Sequence, residues 1–303
     1  MVTAEADAHA RAVLAKAARE NFPVAPRFLP HAWRDDLMAV YGYARLVDDI
    51  GDGDLVPGGP DAALLGVDPG RAADRLALLD AFEAGLRRAF DAAEHGAPPP
   101  QHPLLAALVP TVRRAGLTVE PFLGLIEANR QDQKVRRYAT HGELLDYCEL
   151  SANPVGRLVL AITGTATPER VRLSDSVCTA LQIVEHLQDV PEDLARDRIY
   201  LPAEDMERFR VGEADLAAPS AGASLRTLVA YEADRALRML GAGTPLALSV
   251  RGRLRLLLAG FAGGGRAAVG ALRGAGYDVL NGPPRPTKRA LVREVLATLR
   301  REG

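Results

Sequence analysis

LQIVEHLQDVPED, residues 181–193, reads as a helix with one polar stripe. At about 100° per residue, Gln182, Glu185, His186, Asp189 and Asp193 fall within roughly 100° of arc. Leu181, Ile183, Val184, Leu187 and Val190 cover much of the remainder. A helix that is apolar on most sides belongs inside a protein. Its acids must then face a cavity, where uncompensated charge is costly. Pro191 lacks a backbone donor and crowds the carbonyl of Leu187. It either ends the helix, leaving Glu192 and Asp193 in a loosened turn, or kinks it so that Asp193 is aimed inward.

A second run, YGYARLVDDIGD at residues 41–52, has the same character. Tyr41, Arg45, Asp48 and Asp52 lie within roughly 60° of one another on a helix. Asp48 and Asp52 are neighbouring like charges, a pairing that costs about 0.2–0.5 kcal/mol on an isolated helix. A cation between them would account for it. Two such helices facing each other would make a carboxylate-lined cavity. Oxygen ligands suit hard divalent ions, and Mg²⁺ takes one or two carboxylates together with substrate phosphates. Arg45 on the first stripe, and Arg196, Arg198 and Tyr200 after the second, add donors fit for a diphosphate. Each acidic run alone could be a solvated helix face. Their co-occurrence on two apolar helices favours a site. A two-metal phosphohydrolase is a rival, but it usually recruits histidines and only His186 is well placed.

The rest of the chain repeats the helical period. Leu76, Leu79, Phe82, Leu86 and Phe90 recur at three- and four-residue steps, as do Phe122, Leu125 and Ile126. Alanine and leucine, both strong helix formers, dominate. The expectation is an all-α protein of roughly ten helices, one domain over residues 1–303. Interruptions fall at 51–70, 96–102, 202–205 and 281–286, and the first is a candidate active-site lid or rim. With 37 Lys+Arg against 39 Asp+Glu the net charge is −2, which argues against a dedicated nucleic-acid binder. No apolar run is long enough to span a bilayer. The acidic N-terminus does not read as a secretory signal. Cys148 and Cys178 imply no disulfide framework. A cytoplasmic protein, at most peripheral to a membrane, is expected.

The two acidic runs, with YCELSANPVGR at 147–157, resemble the motifs of the squalene/phytoene synthase family in order and spacing. ENFPVA at 20–25, RQDQ at 130–133, SANPVG at 151–156 and the run from Gln182 to Val190 are most similar to its bacterial hopanoid-pathway branch, whose members make hydroxysqualene. The resemblance implies a class I isoprenoid synthase fold, a helical bundle around a central cavity. It implies Mg²⁺ held by Asp48, Asp52, Asp189 and Asp193, with Asp49 beside them. It implies diphosphate contacts from Tyr41, Arg45, Gln182, Arg198 and Tyr200. Tyr147, Ala152 and Val155 would fall where the family kinks a helix beside the reaction centre, and Phe22 joins the substrate contacts. The implied substrate is a prenyl diphosphate. Membrane contact for the apolar product and partner enzymes of the same pathway go with it.

Four departures from the family pattern bear on the reaction. Glu185 stands where much of the family has Asn, Gln188 where it has Arg, and Pro191 where it has Gly or Ala. Asn21-Phe22-Pro23 replaces the opening serines and tyrosine. Less positive charge favours a substrate with one diphosphate, presqualene diphosphate, over condensation of two farnesyl diphosphates. Glu185 and His186 become proton acceptors near a carbocation. No nicotinamide-binding motif is present, and Gly263-Gly264-Gly265 sits in a helical context, so water and not NADPH-derived hydride is expected to end the reaction. A non-catalytic assembly factor is a further alternative, disfavoured because all four aspartates are kept.

Overall fold

The computed structural model describes residues 10–18, 24–56 and 59–300. Every regular element described is helical apart from one isolated bridge, Arg137 to Ile199. There are sixteen α-helices with both ends described, more than the ten expected, because several span only four to eight residues. The chain divides into two compact units. One holds Met1–Lys134 and Arg157–Ala166, the other Val135–Gly156 and Thr167–Gly303.

In the first unit, α1 (His31–Asp52) packs against α3 (Arg75–His95) and α4 (Glu120–Gln131); the short α2 (Pro60–Leu65) lies between α1 and α3 in sequence. The apolar side of α1 buries Val40, Tyr43, Leu46, Val47 and Ile50. Tyr43 is the hub. Its ring stacks on Phe82 at 4.9 Å and meets Phe122 edge-on at 5.0 Å, and its hydroxyl donates to the Phe122 carbonyl at 2.9 Å. Truncating an aromatic in such a core costs about 3–5 kcal/mol. Packing this strong fixes which side of α1 is left for Tyr41, Arg45, Asp48 and Asp52.

The interruption expected from Gly51 begins later. α1 runs on through Asp52 and stops at Gly53, whose φ of 76° is left-handed and suits glycine. Gly51 is in the helix, and its lack of a side chain lets α4 come very close. A Cβ there would fall 1.8 Å from Asn129 Oδ1. Nor is the remainder a plain loop. α2 buries Asp61 and Leu65, and Asp61 Oδ1 lies 3.1 Å from Nε2 of buried His102.

In the second unit, α5 (His141–Ser151) is capped by Thr140, which accepts from the Glu143 amide, while Glu143 accepts from the Ala139 amide. The helix breaks at Ala152 (φ −114°, ψ −47°), and α6 (Asn153–Ile162) follows, its residues from Arg157 onward belonging to the first unit. α7 (Pro168–Gln188) starts on a Thr167 cap with Pro168 in its first turn. It packs against α5, α10 (Ala223–Gly243) and α11 (Gly252–Gly274). Residues 202–205, expected as a break, instead start α9 (Ala203–Phe209), because Pro202 fits just ahead of a helix. The glycine run at 263–265 is buried within α11. A Cβ on Gly263 would sit 2.8 Å from the Val295 backbone, so glycine lets α12 (Lys288–Arg300) lie close.

Candidate active site

Each unit presents one carboxylate set. On α1, Asp48 and Asp52 keep accessible surface, and Tyr41 and Arg45 are half-buried. Asp48 is exposed, yet the groups around it push its carboxyl up to about 7. Desolvation is the main cause. The Asn129 hydrogen bond opposes it, Asp52 adds to it, Arg45 opposes and Asp49 adds. Asn129 Nδ2 donates both to Asp48 Oδ1 and to the Leu125 carbonyl, each at 3.1 Å. The end of α1 is held as well: Gln133 Nε2 and Arg75 Nη1 donate to the Gly51 carbonyl at 2.9 and 3.2 Å.

Asp49 is placed differently from its neighbours. It is 2% exposed and paired with Lys16 at 2.8 Å and Arg45 at 2.9 Å. The expectation that Asp49 stands with the metal ligands does not match this arrangement: two cations already neutralise it, and it lies off the stripe of Asp48 and Asp52. Arg45, expected against a diphosphate, is bonded to Asp49.

In the second unit, α7 ends at Gln188. Asp189 (φ −105°, ψ 15°) is the break, and Pro191 sits in the first turn of α8 (Val190–Ala195), where no backbone donor is needed. The two readings of Pro191 thus resolve into a stop and a restart. Asp193 donates its amide to the Asp189 carbonyl at 2.8 Å, which keeps the two acids one turn apart. Burial chiefly, then the charges of Asp193 and Glu192, push the Asp189 carboxyl up to about 6, while His186 and Arg285 pull it down.

His186 is the centre of this half. One ring nitrogen lies 3.1 Å from Gln182 Nε2, and the other 3.7 Å from Asp193 Oδ2. Its ring stacks on Tyr200 with centroids 3.7 Å apart and planes 11° apart. Tyr147 and Tyr138 lie 5.5 and 5.7 Å from Tyr200. The segment that carries Arg198 and Tyr200 is held at both ends. The Arg198 amide donates to the Asp193 carbonyl at 2.8 Å, and the Ile199 amide to the Arg136 carbonyl at 2.9 Å. Arg198 is buried and Glu185 is exposed. Tyr147 and Ala152 are buried beside the α5–α6 break, and Val155 is 39% exposed. Phe22 lies outside the described residues. Gln188 is buried, its amide donating to the Pro284 carbonyl at 2.5 Å.

Among the described residues, no three His, Cys, Asp or Glu side chains form a ready-made metal cage. The donor set still fits Mg²⁺. Paired carboxylates held against desolvation supply the one or two protein oxygens such an ion takes when phosphate and water supply the rest. The residues that sequence reasoning passed over are Lys16, Asn129, Arg75 and Tyr138; Gln133 stood in the RQDQ run without a role assigned to it. The one signal was the Asn129–Gln133 spacing, which puts both side chains on one face of α4.

A family model described as squalene/phytoene synthase matches residues 15–293. Hydroxysqualene synthases of Zymomonas mobilis and Rhodopseudomonas palustris are 33% identical over 213 residues and 32% identical over 233. The alignments take in 69% and 77% of this chain and 64% and 72% of those relatives, so the chain spans under two thirds of the first. The crystal structure of a squalene synthase from Alicyclobacillus acidocaldarius is 39% identical, with a TM-score of 0.75 over 93% of this chain and 96% of that one.

Proposed function

We propose that this chain, which belongs to the squalene/phytoene synthase family, ionises presqualene diphosphate, rearranges the carbocation and lets water end the reaction. The carbon–oxygen bond to diphosphate breaks, and the leaving group takes the electron pair. Water supplies the pair for the new carbon–oxygen bond and loses a proton, giving hydroxysqualene and diphosphate. Mg²⁺ would supply Lewis-acid stabilisation of the charge on the leaving group. Asp48 and Asp52, and Asp189 and Asp193, are the residues to hold it. Tyr41, Gln182, Arg198 and Tyr200 bind and orient the diphosphate, and Arg45 exchanges Asp49 for it. Tyr147, Ala152 and Val155 take the hydrocarbon side.

The observation that carries this reaction over its rivals is Gln188. Where much of the family has Arg, this chain has a neutral side chain committed to the Pro284 carbonyl. One fewer cation suits a substrate with one diphosphate. His186, with Gln182 and Asp193 on either side, is better placed than exposed Glu185 to hold the incoming water. We take 1–303 as one catalytic domain. The rim role of 51–70 falls to the stretch ahead of α2, where Asp54 and Val56 are exposed.

A second reading, condensation of two farnesyl diphosphates to presqualene diphosphate or squalene, draws on the 39% identity to a squalene synthase. Mass spectrometry separates the two. Purified presqualene diphosphate with Mg²⁺ and no NADPH should yield hydroxysqualene. Presqualene diphosphate or squalene formed from farnesyl diphosphate, with no hydroxysqualene from presqualene diphosphate, would overturn the proposal.

A further inference from the structure

The turn that separates Asp193 from Arg198 closes α8 on a residue other than glycine. α8 ends at Ala195, and Asp197 takes the left-handed position just past it, with a φ of 59°. The Asp197 amide donates to the Leu194 carbonyl at 2.9 Å, and the Arg198 amide to the Asp193 carbonyl at 2.8 Å. These are the bonds of a Schellman motif, whose left-handed residue is most often glycine. A side chain there crowds the following carbonyl. The conformation therefore costs more than it would for glycine and persists where its surroundings fix it.

Arg137 is what surrounds it. Its Nη1 donates to the Asp197 carbonyl at 2.7 Å, and its Nη2 to Asp197 Oδ1 at 3.0 Å. The same guanidinium grips Glu213, Nε to Oε1 at 2.8 Å and Nη2 to Oε2 at 3.0 Å. Nη1 also donates to the Arg136 carbonyl, which in turn accepts from the Ile199 amide. Glu213 opens the short helix Glu213–Leu216, which packs against α8. All of these residues belong to the second unit. An exposed ion pair is ordinarily worth little, but a two-pronged arginine–carboxylate pair on a half-buried guanidinium is a better anchor. The turn it anchors lies between two parts of the site. Returning Asp197 to an ordinary φ would swing Arg198 away from Asp193 and carry along Tyr200, whose ring stacks on His186.

We propose that Arg137, braced by Glu213, is a positioning residue for diphosphate recognition. By holding Asp197 left-handed, it keeps Arg198 and Tyr200 in register with Asp193 for a Mg²⁺–diphosphate ligand. The role rests on the reading above that these residues meet a diphosphate, and not on which product forms.

Calorimetric titration of the full chain with inorganic diphosphate in the presence of Mg²⁺ tests this without turnover. Arg137→Ala should weaken binding about tenfold. Arg137→Lys, which keeps the charge and loses the fork, should weaken it nearly as much. The decisive variant combines Arg137→Ala with Asp197→Gly. Glycine adopts a positive φ unaided, so most of the lost affinity should return. Loss of a positive charge, or of general stability, would not be repaired in that way. Turnover of presqualene diphosphate should follow the same order, with kcat/KM falling in Arg137→Ala and recovering in the double variant, while the ratio of products stays constant. Unchanged diphosphate binding in Arg137→Ala, or a double variant that binds no tighter than Arg137→Ala, would overturn the proposal. The expected binding series in a protein that forms no hydroxysqualene would instead remove the proposed reaction and leave the positioning role standing.

Discussion

The carboxyls of Asp48 and Asp189 are both raised: burial and its acidic neighbours act on Asp189, while Asp48 stays exposed beside Asp52. Asp48→Asn or Asp189→Asn is expected to abolish turnover at saturating Mg²⁺ while the thermal midpoint stays level or rises slightly, since each removes one of two neighbouring like charges. Rate and melting measurements on one preparation check both halves. His186→Phe should keep the stack on Tyr200 but lose both ring nitrogens. Diphosphate release should then persist while hydroxysqualene falls roughly 10²-fold and eliminated hydrocarbons appear in mass spectra. Glu185→Gln, at an exposed position, should shift the product ratio far less. The stripes of Asp48/Asp52 and Asp189/Asp193 were legible because a helix repeats every three to four residues, and charge on an otherwise apolar helix stands out. Asp49 was not separable by residue type. Its role depends on Lys16, a contact across 33 positions, and the Asp48–Asn129 bond spans 81. Spacing along one helix carries no information about either.

At the scale of the element, α1 and α4 share a seam set by Gly51. Its composition reads as loop, since Gly51, Asp52 and Gly53 are all frequent in turns. Helix wins because the turn is packed, and only Gly53 has the left-handed backbone that ends it. Gly51→Ala places a methyl where Asn129 Oδ1 stands. The expected cost is about 1–3 kcal/mol by overpacking, read as a lower urea midpoint. Asn129 should also swing off Asp48, so the thermal shift produced by Mg²⁺ with inorganic diphosphate should shrink. The break at Asp189 was half legible: Pro191 marked a discontinuity, but its place in the first turn of a new helix depends on Asp189 leaving helical geometry first.

Across the whole molecule, a near-neutral net charge hides strongly local imbalances. In the second unit, Arg235 binds both Asp205 and Glu232, two buried acids on one cation. Burial, and then Asp205, raise the Glu232 carboxyl, and Arg235 opposes the shift. A carboxyl raised by folding stabilises the protein fully below the ordinary carboxylate range. That contribution is lost as pH rises toward the folded value. Denaturant midpoints of the wild type should therefore fall between about pH 5 and about pH 8, and Glu232→Gln should flatten the decline.

The Asp49 carboxylate, seated between Arg45 and Lys16, also bears on how each catalytic cycle closes. An arginine that waits for a polyanionic leaving group would hold it after the chemistry is over. If Arg45 binds the diphosphate as proposed, Asp49 gives it an internal substitute anion to return to, one that competes with the spent leaving group from inside the protein. Its consequence is weaker product inhibition. Asp49→Asn should lower the concentration of free diphosphate that halves the rate, seen in steady-state inhibition curves. A residue that touches neither metal nor substrate would thereby set how quickly the enzyme is ready for its next molecule.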